Sequence, residues 1–329
     1  MRYLFIAGSD VRSCNTHGEY PLTVAARYGR NGTVKCLLQS CPAVKCEEIM
    51  TSALTAAIVA GQVDTTELLL RSGAAVSGGE NEDPIHVASR LGHKEIVILL
   101  LNNGSCLASR TQSGNTPLHF ASETGHLSLV MYLVESQRDA MYSLNNENET
   151  PMHLAARNGR DYLVKYFAEN GCNVNATSAN GATCLHLACE NGHYTTVEYL
   201  LEHGAEVNAL NSADQSPLQI AASRGQTNIV ELLSKHKANF SLRDKEGITA
   251  LLAASMNGHQ DTVLFIVQHG GNIEDTDGKG NTIAHFAVAN ENIDILKYLS
   301  NQAANLGVQN SDGDTPLLKA VREGRKRVV

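Results

Sequence analysis

A pattern close to T-P-L-H-x-A-A-x-x-G returns ten times along this chain at nearly constant spacing. Its second slot is held by Pro21, Pro84, Pro117, Pro151, Pro217 and Pro316, and by Ala53, Cys184, Ala250 and Ile283 in the other copies. The steps between these positions are 32, 31, 33, 34, 33, 33, 33, 33 and 33 residues. So regular a period means one supersecondary unit stacked on copies of itself rather than a single closed core. It predicts an elongated, monomeric array, and it moves the question of function from a catalytic centre to a surface.

The sixth copy shows how one unit is built. Thr183 suits a helix N-cap, where its hydroxyl takes an otherwise unpaired amide of the first turn. The proline that most copies carry at the next slot costs nothing at a first helical position. Leu185, Leu187 and Ala188 open a short helix that Gly192 ends, glycine being free to take a positive φ. Val197, Leu200 and Leu201 then recur at helical spacing until Gly204. A turn-rich stretch with Gly or Asp at its tip follows, the signal of a hairpin-like projection.

The lines TPLHFASETGH, TPMHLAARNGR and TCLHLACENGH, with HGAEVNA closing copy six, resemble the ankyrin repeat over essentially the whole chain. The resemblance implies an all-α-dominated repeat solenoid. Each unit would be a helix–turn–helix plus a β-hairpin finger, and the fingers and first helices would line a concave side. The domain reading is residues 1–14 as the end of one repeat, then nine repeats over 15–309. Those nine are 15–46, 47–77, 78–110, 111–144, 145–177, 178–210, 211–243, 244–276 and 277–309, and residues 310–329 begin another. Residues 3–11 align with Tyr199 to Val207 and neither end carries a polar cap, so the chain reads as the middle of a longer array.

Some copies depart. Copy two lacks both Pro and His and is short, and the stretch from Gln137 to Glu149 is one residue long. Glu291 stands where glycine is usual and Asp214 replaces a finger glycine, so both turns are expected to be distorted.

Composition excludes several classes. The net charge of -8 argues against nucleic acid, and the absence of Trp with 5% aromatics argues against base stacking. No apolar run is long enough to cross a bilayer, and the start, MRYLFIAGSDV, is short for a secretion signal. The eight cysteines fit no disulfide framework; Cys184 and Cys189 read as small hydrophobes in a reducing compartment, hence a cytoplasmic location, directly or at the cytosolic face of a membrane. Cys36, Cys41 and Cys46 match no common zinc spacing, and the sequons at Asn31, Asn148, Asn175 and Asn239 arise from the composition of the repeat.

The histidines invite a catalytic reading, yet His86, His119, His153, His186 and His285 share one slot, and His93, His126, His193 and His259 another. Recurrence at a slot is structural: the ring is expected to bridge backbone groups of adjacent units. For the same reason His186, Cys189 and His193 are repeat positions before they are ligands. No nucleophile elbow, phosphate loop or H-E-x-x-H is present, and Gly78-Gly79 precede acids rather than a helix start with Lys. The expectation is no enzyme, no metal and no cofactor. The basic run Lys319–Arg327 reads as the face of a repeat helix rather than a localisation signal.

What remains for recognition are non-consensus residues of fingers and first helices. The expected partner-binding set is Arg27, Tyr28, Arg90, Leu91, Arg157, Asn158, Glu190 and Asn191, with the finger acids Glu80, Glu82, Asp83, Glu147 and Glu149 steering a basic segment. None holds a stacking slot, so exchanging Tyr28, Arg90 and Arg157 for Ala should spare stability. Asn208, in L-x5-E-V-N, looks like the pattern that asparaginyl hydroxylases accept in ankyrin repeats. The leading function is a non-catalytic scaffold gripping a protein partner, a peptide or a folded domain, on its concave side. Two alternatives are the cytosolic ankyrin region of a membrane channel, acting as a gating platform, and a regulatory array fused to an enzyme.

Overall fold

The computed structural model describes residues 10–40, 42–77, 82–302 and 304–328. The chain divides into two compact units, residues 1–154 and 155–329. The first holds α1 (Pro21–Arg27), α2 (Asn31–Ser40), α3 (Glu47–Val59), α4 (Val63–Arg71), α5 (Pro84–Arg90), α6 (Lys94–Asn102), α7 (Pro117–Thr124) and α8 (Leu127–Ser136). The division falls inside α9 (Pro151–Arg157). The second unit continues with α10 (Asp161–Glu169), α11 (Cys184–Asn191), α12 (Tyr194–Glu202), α13 (Pro217–Ser223), α14 (Thr227–Lys235) and α15 (Ala250–Met256). It ends with α16 (Gln260–Gln268), α17 (Ile283–Ala289), α18 (Ile293–Asn301) and α19 (Pro316–Arg322). Within each unit, first helices pack on first helices and second helices on second helices. This is the helical repeat that the period predicts.

Local chemistry sets the boundaries. At α11 the Thr183 hydroxyl accepts from the His186 N–H, and Gly192 takes φ 78° to close the helix. Between neighbouring first helices the small residues Ala57, Ala88 and Ala121 are fully buried, and a larger side chain there would push the helices apart. Second helices add large core side chains: Leu100, Leu129 and Val130 in the first unit, Val197, Leu200 and Ile229 in the second, all without exposure. Burying each leucine contributes about 2 kcal/mol.

The fingers differ from the β-hairpins expected. Among the described residues there is no strand, only one isolated bridge between Thr276 and Thr282. The described fingers are tight turns closed by two backbone bonds, such as Thr111 N–H to Asn115 C=O at 3.0 Å with Gly114 N–H to Thr111 C=O at 2.9 Å, or Asn211 N–H to Gln215 C=O at 3.0 Å with Asp214 N–H to Asn211 C=O at 2.9 Å. In several, an Asn or Asp carboxyl or amide oxygen accepts further turn amides, as Asn211 does from Ala213 and Gln215. The limbs are too short for a ladder. Neighbouring fingers are clamped by arginines instead: Arg110 donates to the Leu144 carbonyl at 2.6 Å, and Arg243 to that of Thr276 at 2.7 Å.

The expected distortions at Asp214 and Glu291 do not occur. Both keep the left-handed turn, with φ 59° and 51°. The extra residue before Glu149 is absorbed in a 3-10 helix, Arg138–Tyr142, that buries Ala140 and Met141. Copy two is absorbed differently: a 3-10 helix, Pro42–Lys45, runs into α3, which starts six residues before the repeat slot of Ala53 and has 13 residues where most other first helices have seven.

Candidate functional site

The slot histidines are built as backbone bridges. In α7 the ring Nδ1 of His119 accepts from the Thr116 N–H at 3.2 Å, so Nε2 carries the proton and donates to the Glu149 carbonyl at 3.0 Å. His186 repeats this with Thr183 and Gln215, and His285 with Thr282 and Asp314. Burial is the main cause that lowers the pKa of all three, that of His119 to about 4. Gln219 does the same work with an amide, accepting from Ser216 N–H at 2.7 Å and donating to the Ile248 carbonyl at 2.6 Å. The second histidine slot also links repeats: His126 Nε2 donates to the Arg90 carbonyl, His193 to that of Arg157, and His259 to that of Ser223. These rings are therefore committed within the fold. Cys184 and Cys189 are fully buried, and burial raises the Cys189 thiol pKa far above its ordinary value.

In the first unit, Arg27 and Tyr28 lie at the end of α1. Tyr28 is 63% exposed, whereas the Arg27 guanidinium pairs with Glu19. The Glu19 carboxyl is held below its ordinary range first by a hydrogen bond from Asn15 and further by Arg27. Arg90 repeats the device at the end of α5: it forms a two-pronged pair with Glu82, its Nη1 lying 2.8 Å from Oε2. Its guanidinium also lies over the Phe120 ring, 4.2 Å from the centroid. Arg322 pairs with Asp314 in the same way in the second unit, at 2.5 Å. In all three cases the acid stands eight residues before the arginine, a signal present in the sequence that the slot-by-slot reading missed.

These pairings revise the expected roles. Arg90 and Glu82 satisfy each other instead of presenting an anchor and a separate steering acid. Arg90 also bridges two repeats through Phe120, so its removal does not spare stability. Asp83 caps α5 and accepts from the Ser109 hydroxyl, which makes it an internal link. Glu149 is 4% exposed and accepts from Asn145, so it is no surface acid. Glu147 is exposed, and Leu91, the residue that caps the end of α5, is 39% exposed. Glu80 lies outside the described residues.

In the second unit Arg157 and Asn158 are half-buried at the end of α9. Glu190 pairs with Arg224 at 2.9 Å, and the Asn191 amide turns back to the Leu187 carbonyl at 2.9 Å.

The sequence marked copy two as short and lacking Pro and His but placed no site residue on it, and a groove of the first unit lies there. It has a volume of about 860 Å³, with Thr23 and Arg27 of α1 on one side and Glu47, Glu48, Thr51, Thr55 and Val59 of α3 on the other. Thr23 and Ser52 meet through their hydroxyls at 3.0 Å, and the Tyr20 hydroxyl donates to Glu48 at 2.7 Å. That bond raises the Tyr20 pKa. Val59 is 56% exposed at the slot that Arg27 and Arg90 hold in the adjoining copies. The signal was the hydroxyl-rich line TSALT together with the missing Pro and His.

Among the described residues no three His, Cys, Asp or Glu side chains are placed to hold a metal ion, and no helix is long and apolar enough to cross a membrane. A family model described as ankyrin repeats (3 copies) matches residues 1–78, 75–143, 137–211, 209–277 and 269–329. The chain belongs to the ankyrin repeat family, whose members serve as protein–protein interaction modules. No curated protein matches it.

Proposed function

We propose that this chain is a non-catalytic scaffold that binds a protein partner on the side formed by its first helices and fingers, within the first unit. The observation that carries the reading is the run of exposed apolar side chains late in three successive first helices: Tyr28, Val59 and Leu91. Corresponding helix ends of other copies carry polar residues such as Glu123, Glu190 and Asn191, although Met256 is exposed at this slot in the second unit. Aromatic and aliphatic side chains held on rigid helices lose little entropy on contact, which suits them as anchors. The paired Arg27–Glu19 and Arg90–Glu82 groups form a polar margin whose members are already oriented.

On this reading the chain is a cytoplasmic monomer whose partner is a protein and not nucleic acid. Asn208 remains a candidate for hydroxylation; its side-chain oxygen accepts from the Asn239 N–H at 2.8 Å, so a modifying enzyme has to open that bond.

The test is quantitative cross-linking mass spectrometry in cells, comparing the full chain with a Tyr28→Ala/Leu91→Asp variant. Loss of the same identified partners, with an unchanged melting temperature, supports the reading. Retention of those partners, with loss on changing Glu198 and Glu231 of the second helices, places the site on the other face.

A further inference from the structure

The groove between α1 and α3 is built unlike its counterparts. In the described copies that follow, tight turns such as Thr111–Asn115 and Asn145–Glu149 stand between successive first helices. Here no finger rises; α3 is lengthened at its start, and Glu47 and Glu48 occupy the added first turn. A straight helical wall replaces the turn. Its exposed surface is more apolar than polar, with Thr55, Ala56 and Val59 along it and the Thr51 hydroxyl beside them.

Charge selects what fits. Glu19 is matched by Arg27. Among the described residues, Glu48 receives the neutral Tyr20 hydroxyl and neither Glu48 nor Glu47 has an ion-pair partner. The α3 N-terminus supplies roughly half a positive charge against these two carboxylates, so helix capping leaves most of their charge uncompensated. Apolar walls of low dielectric concentrate that field within the groove. An extended segment suits the shape, because alternate side chains can enter while threonine hydroxyls meet its backbone.

We infer that the α1–α3 groove binds an extended basic peptide segment, seating a small or β-branched apolar residue against Val59, with lysines or arginines about five residues away at the end of the groove where Glu47 and Glu48 lie. This deepens the proposed protein-binding reading and rests on it. The unusual copy two is then the specificity element of the first unit.

The test uses the full chain as bait for a display library of short random peptides, followed by fluorescence anisotropy with the enriched peptides. The inference expects Lys or Arg about five residues to one side of Val, Ala or Thr. Affinity should fall at least ~10-fold in Glu47→Lys/Glu48→Lys and in Val59→Arg, and weaken as salt rises. A control of equal charge change on second helices, Glu135→Lys/Glu202→Lys, should alter it less than ~2-fold. Thermal melts report folding, and if the Glu47/Glu48 pair proves unstable the Val59 variant carries the same comparison. Enriched peptides with no basic bias, or binding indifferent to the groove variants, overturn the inference. If such peptides are lost instead in Tyr28→Ala/Leu91→Asp, the broader reading stands without it. No enrichment over a bare-surface control overturns both.

Discussion

Repeats six and seven and repeats one and two occupy the same slots with different chemistry. In the sixth and seventh, His186 and Gln219 each tie their helix start to the following finger, and Thr183 and Ser216 complete capping boxes. In the first and second, Thr23 and Thr55 stand in those slots, and the N-caps Tyr20 and Cys46 offer no side-chain bond. The irregular pair also disturbs its neighbour. His93 Nε2 is buried with no hydrogen-bond partner, where His126, His193 and His259 each reach a carbonyl. Leaving such a group unpaired costs about 1–3 kcal/mol. The regular copies thus spend their polar side chains on the fold, and the irregular ones leave hydroxyls and carboxylates facing a groove.

Acid should separate the two regions most. A buried histidine whose folded pKa is depressed favours the neutral ring, so the unfolded chain binds more protons between the two pKa values. The stability from His119 is complete above its unfolded value near 6.5 and is lost as pH falls toward about 4. That window is worth roughly 3 kcal/mol at its acid end. His186 and His285 are shifted in the same direction by burial. Amide exchange at pH 7 and pH 5 should show protection falling around α7, α11 and α17 while α1 and α3, which lack a slot histidine, change little. An even loss along the chain would break the comparison.

Substitution at the shared slot comes next. His186→Ala strands the Thr183 N–H and the Gln215 carbonyl in a buried setting and should cost about 2–4 kcal/mol in urea unfolding. His186→Gln should recover at least half of that, since Gln219 makes the equivalent bonds. Thr23→Ala removes one hydroxyl contact to Ser52 and should cost less than about 1 kcal/mol. Equal effects at the two positions would show that the slot histidine is ordinary filling.

The arginines separate by about 1 kcal/mol or less. Arg90→Ala loses a two-pronged carboxylate pair and the Phe120 stack, while Arg27→Ala loses a pair on a half-exposed side chain. Arg90→Ala is therefore expected to lower the melting temperature measurably and Arg27→Ala hardly at all.

The helices, their caps, the histidine bridges and the buried cysteines were legible because periodicity, Pro at the first helical position and Gly after the last are statements about one unit. The candidate surface was less legible because its residues are decided between units. Arg90 reads as a free cation until the acid eight residues earlier and the Phe120 ring of the next copy are set beside it. Glu149 reads as a finger acid until the Asn145 turn closes over it. Copy two reads as a degraded repeat, since nothing in the pattern says that missing consensus residues would be replaced by a longer helix. The fingers were read as hairpins although two backbone bonds and a side-chain oxygen suffice to close them.

The smallest effect tests why Glu291 is tolerated. Where a histidine follows, the turn glycine has no room: a Cβ on Gly225 would lie 2.5 Å from the His259 ring, and one on Gly92 would lie 2.4 Å from that of His126. The copy after Glu291 supplies Arg325 at that slot, a flexible cation whose Nη1 lies 3.2 Å from the Glu291 carboxylate. What remains against Glu291 is its φ of 51°, a cost of about 1–2 kcal/mol for a residue with a Cβ. Glu291→Gly relieves that strain, but it frees the unfolded chain by about 0.4–1 kcal/mol and removes an exposed ion pair worth about 0–1 kcal/mol. These terms nearly offset, so the expected change in unfolding free energy is small, between a loss of about 1 and a gain of about 1.6 kcal/mol. Gly225→Ala meets both the strain and the ring, and should cost more than about 2 kcal/mol. Gly258→Ala faces only Asn290 at 3.7 Å and should cost the strain alone. If the two alanine variants prove equal in denaturant unfolding, steric exclusion by the following histidine is not what keeps glycine in this slot, and the tolerance of Glu291 needs another cause.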